Sequence, residues 1–286
     1  LQLLVPGETA APGTGSGKTG SPSAQTAGGA FSVTVNGVDA NWNVVSSAID
    51  NIAITSTDPD ATLPGNAVLV SGTKTFSVSL NTAGTATITA SDVTAPAITA
   101  NTSPSITVNT GAFSQLQVLL PGEVADPGSA TGKTAATPTA QTAGTALSVT
   151  VNAVDSRFNL INTITETVAI TSSDANATLP ANAALVAGTQ SFSITFKTAG
   201  SRTVTATGTQ TGTSAAVTVN AGALAKLQLL VPGEVAAPGT GTGKTAATPT
   251  VQTAGTAFSV TVNGVDANWN VVNTATDNIA ITSSDA

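Results

Sequence analysis

The chain has 286 residues, 41% hydrophobic but only 8% charged, with a net charge of −7 and no Cys, His, Met or Tyr. This excludes disulfides, thiolate metal sites and thiol nucleophiles, removes the commonest general base, and leaves no basic footprint for nucleic acid. Ser, Thr, Gly and Asn interrupt every apolar run before the roughly 18 residues of a membrane helix, so no membrane span is expected in this window.

"LQLLVPGE", from Leu1, reads as a first strand ended by Pro6-Gly7. A Gly/Pro/Ser/Thr-rich connection follows, residues 6 to 29. It contains "GTGSGKTG", which resembles the end of a phosphate-binding loop. That motif needs a glycine six residues before the lysine and a helix after it. Pro12 stands at the glycine position before Lys18, has no N–H to donate, and no helical pattern follows. Nucleotide binding is therefore not expected. So long a connection is usually functional or disordered, and an ordered lobe packed on its own or a neighbouring domain is expected here, with Glu8 and Lys18 paired across it. An internal amide cross-link between Lys18 and Asn109 beside Glu8 is an alternative, disfavoured by the Gly-rich setting of the lysine.

Phe31, Val33 and Val35 alternate with polar residues, as do Ile52 and Ile54, then Phe76, Val78 and Leu80, then Ile106 and Val108. Period 2 puts the apolar set on one face of each strand and the hydroxyls on the other. Between the first two strands lies "DANWN". Asp39, Asn41 and Asn43 have the i, i+2, i+4 spacing of calcium loops, and Asp58 and Asp60 could join such a site. The same residues also form Asx-turns. Calcium is the only cofactor this sequence suggests. Trp42, at the tip, either packs on the end of a sandwich or anchors an interface.

The pattern then repeats. "LQVLLPGE" starts at Leu116 and "LQLLVPGE" at Leu227, 115 and 111 residues apart. Lys18, Lys133 and Lys244 recur in step, as do Asp39, Asp155 and Asp266, and Trp42, Phe158 and Trp269. The third copy repeats the trio as Asp266, Asn268 and Asn270, whereas the second has Arg157 at the middle position. Self-similarity at this period is too long for a solenoid turn and suits one sandwich domain per repeat. The expected class is all-β: tandem immunoglobulin-like β-sandwich domains at 1–115 and 116–226, with 227–286 the first half of a third. The junctions "NTGAFSQ" and "NAGALAK" are short. They carry Phe113 and Leu224, expected to dock between domains and to make a rod with about 35–45 Å of advance per repeat.

"FSVTVNGVDANWNVV", "IAITSTDPDATLP" and "GTKTFSVSLNTAGTATITASD" resemble the bacterial immunoglobulin-like repeats of very long surface and secreted proteins. The aromatic at the Trp42 position departs from the glycine often found there. The resemblance implies an extracellular or cell-surface structural module, a stalk or fibre segment without catalysis. Its partners would be neighbouring repeats of the same chain and identical chains in a fibre. The alternative it implies is an adhesin repeat binding glycan, protein or another surface through Thr-rich faces or turn aromatics. The half-length third copy, with Phe258, Val260, Val262, Ile279 and Ile281 uncovered, is expected to continue into a longer polypeptide.

Overall fold

The computed structural model describes residues 1–134, 137–245 and 248–285. Among them every regular element is a strand. In the first repeat these are β1 (Gln2–Leu4), β2 (Glu8–Ala10), β3 (Lys18–Gly20), β4 (Gln25–Thr26), β5 (Ala30–Asn36), β6 (Asn51–Ser56), β7 (Ala67–Val68), β8 (Thr73–Ser79), β9 (Gly84–Ala86), β10 (Ile88–Asp92), β11 (Asn101–Thr102) and β12 (Ile106–Asn109).

One sheet runs β1-β5-β8; against it lie β11-β10-β6-β7 and β4-β12-β9. The pairings are antiparallel except β4 with β12, which is parallel. The alternation sets which residues turn inward. Leu3, Val33, Val35, Phe76 and Val78 from the first sheet meet Ile52, Ile54, Ile88, Ile106 and Val108 from the others in one core. Apolar face on apolar face makes the sandwich. The second repeat builds the same set. Gln115–Leu119, Ala146–Val154 and Thr189–Thr195 form one sheet, and a separate core runs from Leu116 to Val219. The chain is thus a tandem of immunoglobulin-like β-sandwiches.

The glycine-rich connection is ordered, as expected, and is built on a hairpin of β2 and β3. Lys18 Nζ lies 2.8 Å from Glu8 and also reaches the Leu3 carbonyl. Lys133–Glu123 and Lys244–Glu234 repeat the pair. The expected pairing of Glu8 with Lys18 is present, and it is not a surface pair: the carboxylate side chains of Glu8 and Glu123 are 2% and 0% exposed. A buried glutamine holds the lobe to the sheet. Gln2 Nε2 donates to the Gly17 carbonyl, Asn36 Nδ2 donates to Gln2 Oε1, and the Thr73 hydroxyl donates to Asn36 Oδ1. Gln117, Asn152 and Thr189 form the same relay in the second repeat.

The third repeat differs. Lys226–Leu230 pairs with Thr261–Val265, and Val235–Ala236 with Lys244–Thr245. The expected strand through Phe258 and Val260 is not formed, nor is one at Ile279 and Ile281. The register explains the first of these. In β5, Thr34–Asn36 pairs with both β1 and β8, but Ala30–Val33 pairs with β8 alone. Residues 257–260 match that second segment, and among the described residues no strand pairs with them. Leu227, Leu229, Phe258, Ile279 and Ile281 stay exposed.

Candidate functional site

The turn at "DANWN" in the first and third repeats, "DSRFN" in the second, is an Asx-turn in all three, and in two of them it is the contact between sandwiches. Asp155 Oδ1 accepts the N–H of Arg157 and of Asn159, at 2.8 and 2.9 Å, which fixes the turn. The Asn159 amide group also donates to the Asp155 carboxylate. Its other bonds cross to the first repeat: Nδ2 donates to the Asn81 carbonyl at 2.9 Å, and Oδ1 accepts the Ala83 N–H at 2.8 Å. Asp155 Oδ2 accepts the N–H of Gly111 in the linker. Both Asp155 and Asn159 are 1% exposed, so these bonds are shielded from water and a lost partner there is costly.

The receiving loop is set by a second buried aspartate. Asp58 accepts the N–H groups of Asp60, Asn81 and Thr82 and the Thr82 hydroxyl. It thereby aims the Asn81 carbonyl and Ala83 N–H outward as a fixed acceptor–donor pair. Two glycines allow close approach. A Cβ on Gly28 would press on the Arg157 side chain, and one on Gly128 of the second lobe would collide with Thr82. Both have positive φ, 77° and 91°, where a side chain is strained.

The second junction reproduces the first. Asn270 Nδ2 donates to the Lys197 carbonyl and Oδ1 accepts the Ala199 N–H; Asp266 accepts the Gly222 N–H. Asp174 holds the receiving loop through the N–H groups of Lys197, Thr198 and Asn176 and the Thr198 hydroxyl. Burial pushes the Asp174 carboxyl up, but the Thr198 N–H and hydroxyl with the other donors outweigh it and leave it below the ordinary carboxylate range.

The calcium trio therefore has a different geometry from a cation cage. N–H donors converge on the Asp39 carboxylate from Asn41 and Asn43, as they do on Asp266 from Asn268 and Asn270. Among the described residues no group of three or more acidic side chains could hold a metal ion. The middle position, Asn41, Arg157 or Asn268, is not a shared ligand. Arg157 and Asn268 instead lie against Gly28 and Gly144 of the preceding repeat, which explains why arginine is accepted there.

The turn aromatics cover their own lobes. Trp42, Phe158 and Trp269 take φ of 67°, 61° and 67°, the left-handed region that favours glycine. Their rings lie on Gly17, Gly132 and Gly243. Trp269 additionally carries the linker Lys226 ammonium 3.8 Å over its ring. Phe113 packs against the core of the second repeat. Leu224 remains 40% exposed, with its tip close to Gly264 of the third repeat. Lys18 donates to Glu8 and the Leu3 carbonyl, not to Asn109, and the "GTGSGKTG" run is a β-hairpin lobe rather than a loop before a helix.

Sequence reasoning placed Asp58 only beside a calcium site and missed its role, with Asp174, as the hub of the receiving "NTAG" and "KTAG" loops; it also missed the Gln2 relay that holds the lobe to its own sheet. A polar residue recurring at an inward position of an apolar strand, as in Gln2, Gln117 and Gln228, is the signal that was available.

No family model matches the chain, and no curated protein does. Among solved structures it is similar to the D00–D0 domain of intimin, with 14% identity, a TM-score of 0.33, and coverage of 76% of this chain and 98% of that one. It is also similar to domains 5–6 of the S-layer protein SbsC, with 21% identity, a TM-score of 0.23, and coverage of 68% and 91%. A third likeness is to Parabacteroides merdae beta-glucuronidase, at 11% identity and a TM-score of 0.27 over 59% of this chain. The chain spans 21% of that enzyme's length. None of these likenesses carries an argument about activity.

Proposed function

We propose that this chain is a structural segment of an extracellular or cell-surface stalk or fibre, without catalysis, in which each repeat is fastened to the next. The observation that supports it is the joint. The same buried Asp–Asn pair spans both junctions with the same pair of main-chain bonds. A hinge between independent modules would not bury polar groups in one fixed geometry. The adhesin alternative gains less support, because the turn aromatics it would use are packed on lobe glycines. Small-angle scattering of the chain tests the reading. The expected result is an extended particle of fixed length that becomes flexible when Asn159 and Asn270 are both changed to Ala. A chain already flexible before substitution would reject it.

A further inference from the structure

The first repeat carries the same head as the other two, but turned to solvent. Asp39 Oδ1 accepts the N–H groups of Asn41 and Asn43, both at 2.9 Å, and Asn43 Nδ2 donates to Asp39 Oδ2 at 3.1 Å. The lobe closes on the turn identically in each copy: the Gly13, Gly128 and Gly239 N–H groups donate to the carbonyls of Asn41, Arg157 and Asn268, all at 2.7 Å. Only the surroundings differ. Asp155, Asn159, Asp266 and Asn270 are buried, while Asp39 and Asn43 are exposed. A Cβ on Gly128 or Gly239 would strike the preceding repeat, whereas one on Gly13 would meet nothing.

We propose that this head, formed by Asp39, Asn41, Asn43 and the Pro12-Gly13 corner, is a docking surface for the tail of a further repeat of the same kind. Its occupant is defined chemically. It presents a main-chain carbonyl and, two residues on, an N–H, on a loop held by a buried aspartate as Asp58 holds the N–H groups of Asn81 and Thr82. It also presents a positive-φ glycine, as Gly28 and Gly144 do, under the middle residue of the turn. The carbonyl takes Asn43 Nδ2–H and the N–H goes to Asn43 Oδ1. Preformed geometry means that docking orders few side chains, which keeps its entropic cost small. The inference rests on the same joint as the stalk reading, but that reading is tested at the two junctions already present, so either can fail alone.

The test places a copy of residues 116–226 directly before Leu1 of the full chain, so that "NAGALAK" leads into Leu1 as it leads into Leu227. Amide hydrogen exchange is read at the alanine of the added copy that corresponds to Ala199. The expected result is at least a tenfold slowing relative to the same chain carrying Asn43→Ala, with Ala83 and Ala199 unchanged in both as internal controls. Equal exchange in the two chains overturns the proposal. So does protection that survives Asn43→Ala. A calcium titration of the unextended chain is the second arm. If sub-millimolar calcium shifts the Asn43 amide signals and Asp39→Asn abolishes the shift, the head is a cation site and the docking proposal fails; unmoved signals support it.

Discussion

Asn159 shows how little a single side chain needs in order to fasten two sandwiches. Its amide offers one donor and one acceptor to a neighbouring main chain, and its second N–H is held by Asp155. Asn159→Ala leaves the Asn81 carbonyl and the Ala83 N–H buried without partners. The expected cost is about 2–4 kcal/mol, read by calorimetry as loss of coupled melting between the first two repeats. Asn43→Ala removes the same side chain where it is exposed, and less than about 0.5 kcal/mol is expected. Lys133 has a comparable role inside its lobe. Lys133→Met strands the fully buried Glu123 carboxylate, and a loss of about 3 kcal/mol in chemical denaturation of the second repeat is expected. An unchanged midpoint would show that water replaces the ammonium. Of these residues, Lys133 and Glu123 were legible as a recurring pair. Asn159 was legible only as a turn former, because the atoms that recognise it are main-chain atoms with no signature in the sequence.

At the scale of elements, the strands of the first two repeats were read correctly where apolar and polar residues alternate, since burial on one face is what the alternation encodes. β5, β6, β8 and β12 fall where Phe31–Val35, Ile52–Ile54, Phe76–Leu80 and Ile106–Val108 placed them. The reading failed at residues 257–260, where the alternation is intact but no strand among the described residues pairs with it. The two junctions, alike in their asparagines, differ in one acidic contact. Burial raises the Asp60 carboxyl above its ordinary range, and the negative charges of Asp126 across the junction and of Asp58 add to this. At the second junction Asn176 stands in place of Asp60, and its Nδ2 donates to the Pro238 carbonyl. Asp60→Asn is therefore expected to stabilise the first junction at neutral pH, by under about 1 kcal/mol because the site is open to solvent. An acid whose pKa is raised on folding binds its proton more tightly in the folded state. The contribution of Asp60 to stability should thus rise as pH falls through its folded pKa, so that the difference between the native chain and Asp60→Asn closes. Melting curves at a series of pH values check this; a difference that widens on acidification would contradict it.

For the molecule as a whole, the two closed sandwiches and the third repeat should respond differently to attack. The first two each bury a core of their own, while the third leaves Phe258, Leu229 and Ile281 open to solvent. Limited proteolysis is expected to cut first within residues 251–260. Extension of the chain by a copy of residues 60–115 is expected to suppress that cleavage by giving Phe258 and Val260 a partner strand. Cleavage in the first sandwich before the third would reverse this order of stability.

Each of the first two repeats holds one half of the joint at each end: an Asx-turn and lobe corner at its head, and an aspartate-held loop with a glycine at its tail. The two halves are encoded in the same stretch of about 110 residues. Duplicating or deleting that stretch in the gene therefore changes length without requiring a new interface to evolve, because every added unit already matches both neighbours. The joint then constrains only the handful of positions that must agree from copy to copy.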